Sequence, residues 1–111
     1  MLPFRGMGDG WKDPNHPLAR VKELARAGRI DPTGRATIDA LMMKMDTEDM
    51  QECLEKLCEA DYYITKDSEE KPGLIQHYYR CCFRGKWLLV KLRVNDQARV
   101  ELISFHKGKP R

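Results

Sequence analysis

The side chains best suited to chemistry cluster in the last third of the chain, where cations alternate with aromatic and polar residues. Arg80, Lys91 and Arg93 share this stretch with Tyr78 and Trp87. Cations hold phosphates and aromatic rings stack on unpaired bases, so the combination is that of an RNA-binding surface. The charge distribution agrees. Residues 71–111 carry ten Lys/Arg against two Asp/Glu, whereas residues 46–70 carry two against ten. The formal net charge of +3 is what remains after these segments cancel. A basic segment of this kind suits a polyanion partner, although a solvated charged face has the same composition.

The other reactive groups are Cys53, Cys58, Cys81 and Cys82. They form no C-x-x-C pair, and adjacent Cys81 and Cys82 cannot face the same side of a strand. Free thiols in a reducing compartment follow from that spacing. Zinc held by His77 with Cys81 or Cys82 is the competing possibility. No second paired-ligand motif completes a tetrahedral set, so neither a metal nor a cofactor is expected.

These groups need a scaffold, and 111 residues build one compact domain. No apolar run approaches the ~20 residues that span a bilayer. The first residues also lack the apolar stretch of a signal peptide, so a cytoplasmic protein is expected. Residues 1–15, with Pro3, Gly6, Gly8, Gly10 and Pro14, read as a flexible lead-in to a single domain over 16–111. Leu18, Val21, Leu24 and Ala25 predict a helix over 17–27, stopped by Gly28. Asp31-Pro32-Thr33-Gly34 reads as a turn. A second helix over 36–45 then directs Ile38, Leu41, Met42 and Met45 inward. Asp46 or Thr47 caps a third helix over 48–59, with Met50, Cys53, Leu54, Leu57 and Cys58 as its buried stripe.

After Asp61 the hydrophobic period changes to two. Strands are predicted over 62–65, 74–83, 87–94 and 98–106, joined by the loop Lys66–Gly73 and two short turns. In the third strand Leu88, Val90, Leu92 and Val94 face the core, so Trp87, Leu89, Lys91 and Arg93 face away. In the second, Gln76, Tyr78 and Arg80 share one face and His77 lies on the other. The expected fold is α+β, with N-terminal helices packed on one face of a C-terminal antiparallel sheet. The basic residues then fall on the face that the helices leave open.

Four segments carry a resemblance. His16-Pro17-Leu18, with Val21-Lys22-Glu23-Leu24 and Ala27-Gly28, opens the domain. Asp61-Tyr62-Tyr63-Ile64-Thr65 follows, then Gln76-His77-Tyr78-Tyr79-Arg80. Val90-Lys91-Leu92 and Ile103-Ser104-Phe105-His106 close it. In order and spacing, over about residues 16–107, the chain resembles the motility quorum-sensing regulator (MqsR) family of bacterial toxins. The resemblance implies a RelE-like fold and a toxin of a type II toxin–antitoxin system. It further implies metal-independent endoribonuclease (mRNA interferase) activity that cleaves mRNA in the cytoplasm and so inhibits translation and growth. The implied partners are mRNA and a cognate antitoxin, with no cofactor, and with DNA met only through an antitoxin complex.

Residue by residue, Gln76 matches the family's functional glutamine. Lys91 matches a lysine beside a functional tyrosine, whose own place is taken by Leu89. The lysine that follows the paired aromatics falls on Ile64, which leaves its role to Lys66. The final lysine of the family's Ser-Phe-Lys falls on His106, with Lys107 next to it.

Cleaving RNA without a metal requires the 2′-hydroxyl to be deprotonated and aligned on its own phosphate. The developing charge must be stabilised and the 5′-oxygen protonated as it leaves. A histidine can serve as acid or base near neutral pH, whereas an exposed lysine, titrating near ~10.4, acts electrostatically. The acid–base role therefore goes to His106, with Lys91, Arg80 and Lys66 on the phosphate. Gln76 orients the RNA, and Tyr78 stacks or donates a hydrogen bond. Arg93, Trp87 and Lys107 extend the RNA surface. His77 competes for the acid–base role, but strand alternation turns it away from Gln76. A non-catalytic RNA- or partner-binding protein of the same fold is the alternative, favoured by Ile64 and Leu89.

Overall fold

The computed structural model describes residues 17–68, 71 and 73–110; the lead-in over 1–15 lies outside them. Its helices are α1 (Leu18–Arg26), α2 (Gly34–Met42) and α3 (Thr47–Lys56). Its strands are β1 (Ile30–Pro32), β2 (Tyr62–Asp67), β3 (Ile75–Phe83), β4 (Lys86–Val94) and β5 (Val100–Lys107). They form one five-stranded sheet in the order β1-β5-β4-β3-β2. The architecture is α+β, and the helices precede the main run of strands as their patterns require.

α1 buries Leu18, Val21, Leu24 and Ala25, the face set by their spacing. Gly28 follows at φ +76°, a left-handed conformation that ends the helix cheaply only at glycine. α3 opens on a capping box. The Asp49 N–H donates to the Asp46 carboxylate at 3.0 Å, and the Asp46 N–H donates to the Asp49 carboxylate at 2.8 Å. Met50, Cys53 and Leu54 of α3 enter the core, with Leu57 just beyond. Cys58, expected on the same stripe, is exposed, because the helix ends at Lys56 and Cys58 caps a 3-10 turn over Glu59–Asp61. Side chains also bridge α1 and the α3 region through backbone carbonyls. Gln51 Nε2 donates to the Ala25 carbonyl and Lys22 Nζ to that of Leu57, both at 2.7 Å.

Two elements differ from expectation. Asp31 and Pro32 do not form a turn, because β1 runs parallel to β5 in the register Ile30↔Val100 and Pro32↔Leu102. The sheet is therefore mixed, with one parallel pair added to the antiparallel meander. A three-residue edge strand accommodates Pro32, since its outer side has no ladder partner to supply. Arg99 Nε pairs with Asp31 at 2.7 Å and fastens this edge.

The second difference is α2, which begins at Gly34 and turns Ala36 and Ala40 inward. Ile38, Leu41 and Met42, expected inside, are 59%, 64% and 81% exposed. The phase is set by the cap: the Ala36 N–H donates to Thr33 Oγ1 at 3.1 Å. From that start two alanines four residues apart meet the sheet, and their small side chains let the helix lie close to β5. Met45 still reaches the core, but from the loop beyond Lys44, which takes φ 61°.

The helix-side face of the sheet is dry. Tyr79 and Phe83 of β3, Leu88, Val90 and Leu92 of β4, and Val100, Leu102 and Phe105 of β5 are buried there. Cys53 and Cys81 meet in this layer with their sulfurs 3.6 Å apart. That contact, with burial, pushes the Cys53 thiol far above its usual range, so it is packing rather than a nucleophile. β3 and β4 are joined by Arg84 and Gly85, both at positive φ, a two-residue turn that suits the twist of a hairpin. From this turn the Arg84 guanidinium reaches Glu52 at 2.7 Å and also pairs with Asp49. The Asp46 N–H and then Arg84 hold the Asp49 carboxyl below its usual range, and Lys56 and Arg84 do the same for Glu52.

Candidate active site

Two bulges decide which side chains reach the open face. In β5, Ser104 pairs with Lys91 and Leu102 with Leu92, so Ile103 is an extra residue. Strict alternation from Leu102 would send Ser104 and His106 into the core and turn Phe105 outward. The extra residue resets the phase. Phe105 is fully buried, while Ser104 and His106 come to the side of Lys91. α2 satisfies the outer edge of this bulged segment. Thr33 Oγ1 donates to the Ile103 carbonyl at 3.0 Å, and Asp39 Oδ2 accepts the Phe105 N–H at 3.1 Å.

The second bulge lies in β2, between Tyr62 and Ile64. Tyr62 stays on the helix side, edge-on to Tyr79 with ring centroids 5.9 Å apart. Ile64 and Lys66 move to the open face, opposite Tyr78 and Gln76 respectively. Lys66, expected in a loop, is thus a strand residue beside Gln76.

Between these bulged strands lies a cleft of about 390 Å³. Gln76 and Tyr78 of β3, Lys91 of β4, and Ile103, Ser104 and His106 of β5 line it, with Thr33, Arg35 and Ser68 at its margins. Tyr78 is 6% exposed because two lysines cover it: Lys66 Nζ and Lys91 Nζ each lie 5.0 Å from its ring centroid. The negative face of a phenol ring attracts ammonium groups, so Tyr78 gathers two cations in one place. At the far side stands His106. Its Nδ1 is buried without a hydrogen-bond partner among the described residues, and Asp39 Oδ2 faces it at 3.9 Å. Arg35, one helical turn before Asp39, lies 3.7 Å from the other carboxylate oxygen and adds a third cation to the rim. Two lysines and an arginine around a histidine can bind a phosphodiester and exchange a proton with it.

Of the residues singled out by sequence, Gln76, Tyr78, Lys91 and His106 line the cleft, and Lys66 joins them through Tyr78. Four others lie elsewhere. Arg80 stacks on the Tyr63 ring at 3.7 Å, and Arg93 pairs with Glu101 at 3.4 Å. Trp87 sits opposite Cys82 toward the hairpin end, and exposed Lys107 is opposite Leu88, out of phase with the cleft. His77 lies on the helix-side phase, with Thr65 Oγ1 2.9 Å from its Nδ1. Sequence reasoning missed Thr33, Arg35, Asp39, Ser68 and Ser104. Asp39 had no signal of its own, because its role depends on how α2 docks against β5.

A family model described as motility quorum-sensing regulator, toxin of MqsA, matches residues 13–107. Its span takes in every strand and helix described above. The protein is accordingly a toxin of a toxin–antitoxin system, and its partner is an antitoxin. The chain belongs to the motility quorum-sensing regulator toxin family. No curated protein sequence matches it significantly. Among the described residues no helix is long and apolar enough to cross a membrane.

Proposed function

We propose that this toxin is a metal-independent endoribonuclease that cleaves mRNA in the cytoplasm and thereby inhibits translation and growth. The observation that carries the proposal is convergence: Gln76, Tyr78, Lys91 and His106, from three strands, line one cleft. Lys66 and Lys91, seated on Tyr78, bind the scissile phosphate and stabilise the charge that grows on it. Gln76 orients the nucleotide, and His106 exchanges the proton. The 2′-oxygen bonds to phosphorus as the bond to the 5′-oxygen breaks. A proton leaves the first oxygen and one arrives at the second, so the products are a 2′,3′-cyclic phosphate and a 5′-hydroxyl. Arg80, Arg93 and Trp87, on the open face outside the cleft, extend the surface for flanking RNA, whereas Lys107, paired with core Leu88, is out of phase with it.

The test is incubation of the purified toxin with single-stranded RNA in the presence of a chelator. The expected result is a 2′,3′-cyclic phosphate end, reduced by about 10²-fold or more in His106→Ala, the usual worth of an acid–base group. Ile64 and Leu89 favour a second possibility, a toxin that binds RNA or a protein partner without cutting. Salt-sensitive RNA affinity with no product would establish that alternative. DNA contact is expected only through an antitoxin complex.

A further inference from the structure

We propose that Asp39 is the positioning residue for His106, holding the ring through Nδ1 so that Nε2 addresses the cleft. The proposal rests on His106 as the acid–base group of the proposed ribonuclease. The His106 side chain is 38% exposed, yet its Nδ1 is buried and lacks a hydrogen-bond partner among the described residues. Only part of the ring is wet, and it is not the Nδ1 corner. The Asp39 carboxylate stands before that corner at 3.9 Å and is itself 13% exposed. This separation is longer than a hydrogen bond, as those of catalytic pairs often are before substrate arrives. A buried imidazole nitrogen carrying hydrogen requires an acceptor, and a carboxylate is the strongest one available to it.

Asp39 cannot drift away. Its Oδ2 already accepts the Phe105 N–H at 3.1 Å, and Arg35 Nε lies 3.7 Å from its Oδ1. The first interaction fixes the carboxylate to the backbone of the residue next to His106. The second partly balances its charge at the rim. An ammonium group has no tautomers and needs no such partner. A histidine has two, and only the Nδ1–H form leaves Nε2 free to accept a proton in the cleft. Asp39 therefore supplies a need that arises with the histidine.

The measurement is the ¹⁵N spectrum of the His106 ring in the free toxin near pH 8, where an ordinary imidazole (~6.5) is neutral. The Nδ1–H tautomer should predominate in the wild type. In Asp39→Asn, which keeps an oxygen for the Phe105 N–H, it should give way to the Nε2–H form. RNA cleavage by the same variant should lose kcat by about 10²-fold with KM and melting temperature little changed. An Nε2–H ring in the wild type, or one indifferent to Asp39→Asn, overturns the proposal. A wild-type Nδ1–H tautomer that is lost in Asp39→Asn, in a toxin that cuts no RNA, upholds the Asp39–His106 pairing and overturns the ribonuclease.

Discussion

β4 and the two strands that carry bulges, β2 and β5, meet the same demand in different ways. Each must bury one set of side chains under the helices and present another on the open face. β4 does so by plain alternation. Leu88, Val90 and Leu92 are fully buried, and Leu89, Lys91 and Arg93 lie on the opposite side. β2 and β5 cannot, because Tyr62 and Lys66, or Leu102 and His106, are an even number of residues apart and yet must face opposite ways. One extra residue in each strand resolves the conflict. Regular strands build the core, and irregular ones complete the site.

The largest effects should come from neighbouring residues on opposite sides of that divide. Phe105→Ala removes a fully buried ring and should cost ~3–5 kcal/mol in denaturant unfolding. His106→Ala, one residue later, should leave stability within about 0.5 kcal/mol while cleavage collapses. Equal losses of stability at both positions would mean that the β5 bulge does not separate core from cleft. Next are the cations on Tyr78. Replacing Lys66 and Lys91 by alanine should weaken RNA binding and flatten its salt dependence, by about 0.7 in log–log slope for each phosphate no longer neutralised. Lys107→Ala, out of phase with the cleft, should change that slope far less.

A smaller effect is expected at the hinge between the two kinds of strand. Thr33→Ala deletes both the α2 cap and the bond to the Ile103 carbonyl, and should cost about 1 kcal/mol by thermal melting. Its cleavage activity should fall further than that loss alone explains, because the bulge is held from α2. The smallest effect concerns the hairpin away from the cleft. Asp49 and Glu52 have lowered carboxyl pKa values, the first through the Asp46 N–H and then Arg84, the second through Lys56 and then Arg84, so these contacts stabilise the fold above the unfolded carboxylate range. That contribution is lost as pH falls through the lowered folded values. Melting temperatures of the wild type and Arg84→Ala should therefore converge in acid, and a constant gap would count against the linkage.

Much of the scaffold was legible because it follows from local rules. The face of α1, the Asp46 cap of α3 and the alternation of β4 each depend on residues close in sequence. The motif order also led to Gln76, Lys91 and His106. What was illegible depends on distant partners. Ile38, Leu41 and Met42 look like a core face by hydropathy, but the inward side of α2 is chosen by its cap and by the closeness that Ala36 and Ala40 permit. β1 requires β5, which lies about seventy residues away along the chain. Neither bulge has a sequence signature here, since Tyr63 and Ile103 are ordinary strand residues. Asp39 is the clearest instance: on an exposed helix it would be solvated, and only docking turns it toward His106.

The attachment of α2 to β5 also bears on when the toxin first becomes dangerous. Two of the bonds that join them link residues 70 and 66 positions apart. Pairings this remote close late, after nearer ones have reduced the cost of bringing the ends together. On the ribosome the order is stricter, because helices and hairpin emerge before β5 and domains mature from their N-terminal side. A nascent chain that has completed β4 holds Lys66, Tyr78 and Lys91 but has no Ser104, no His106 and nothing for Asp39 to face. The cleft is closed by β5, the last of the five described strands to be synthesised, so no shorter nascent chain can hold it.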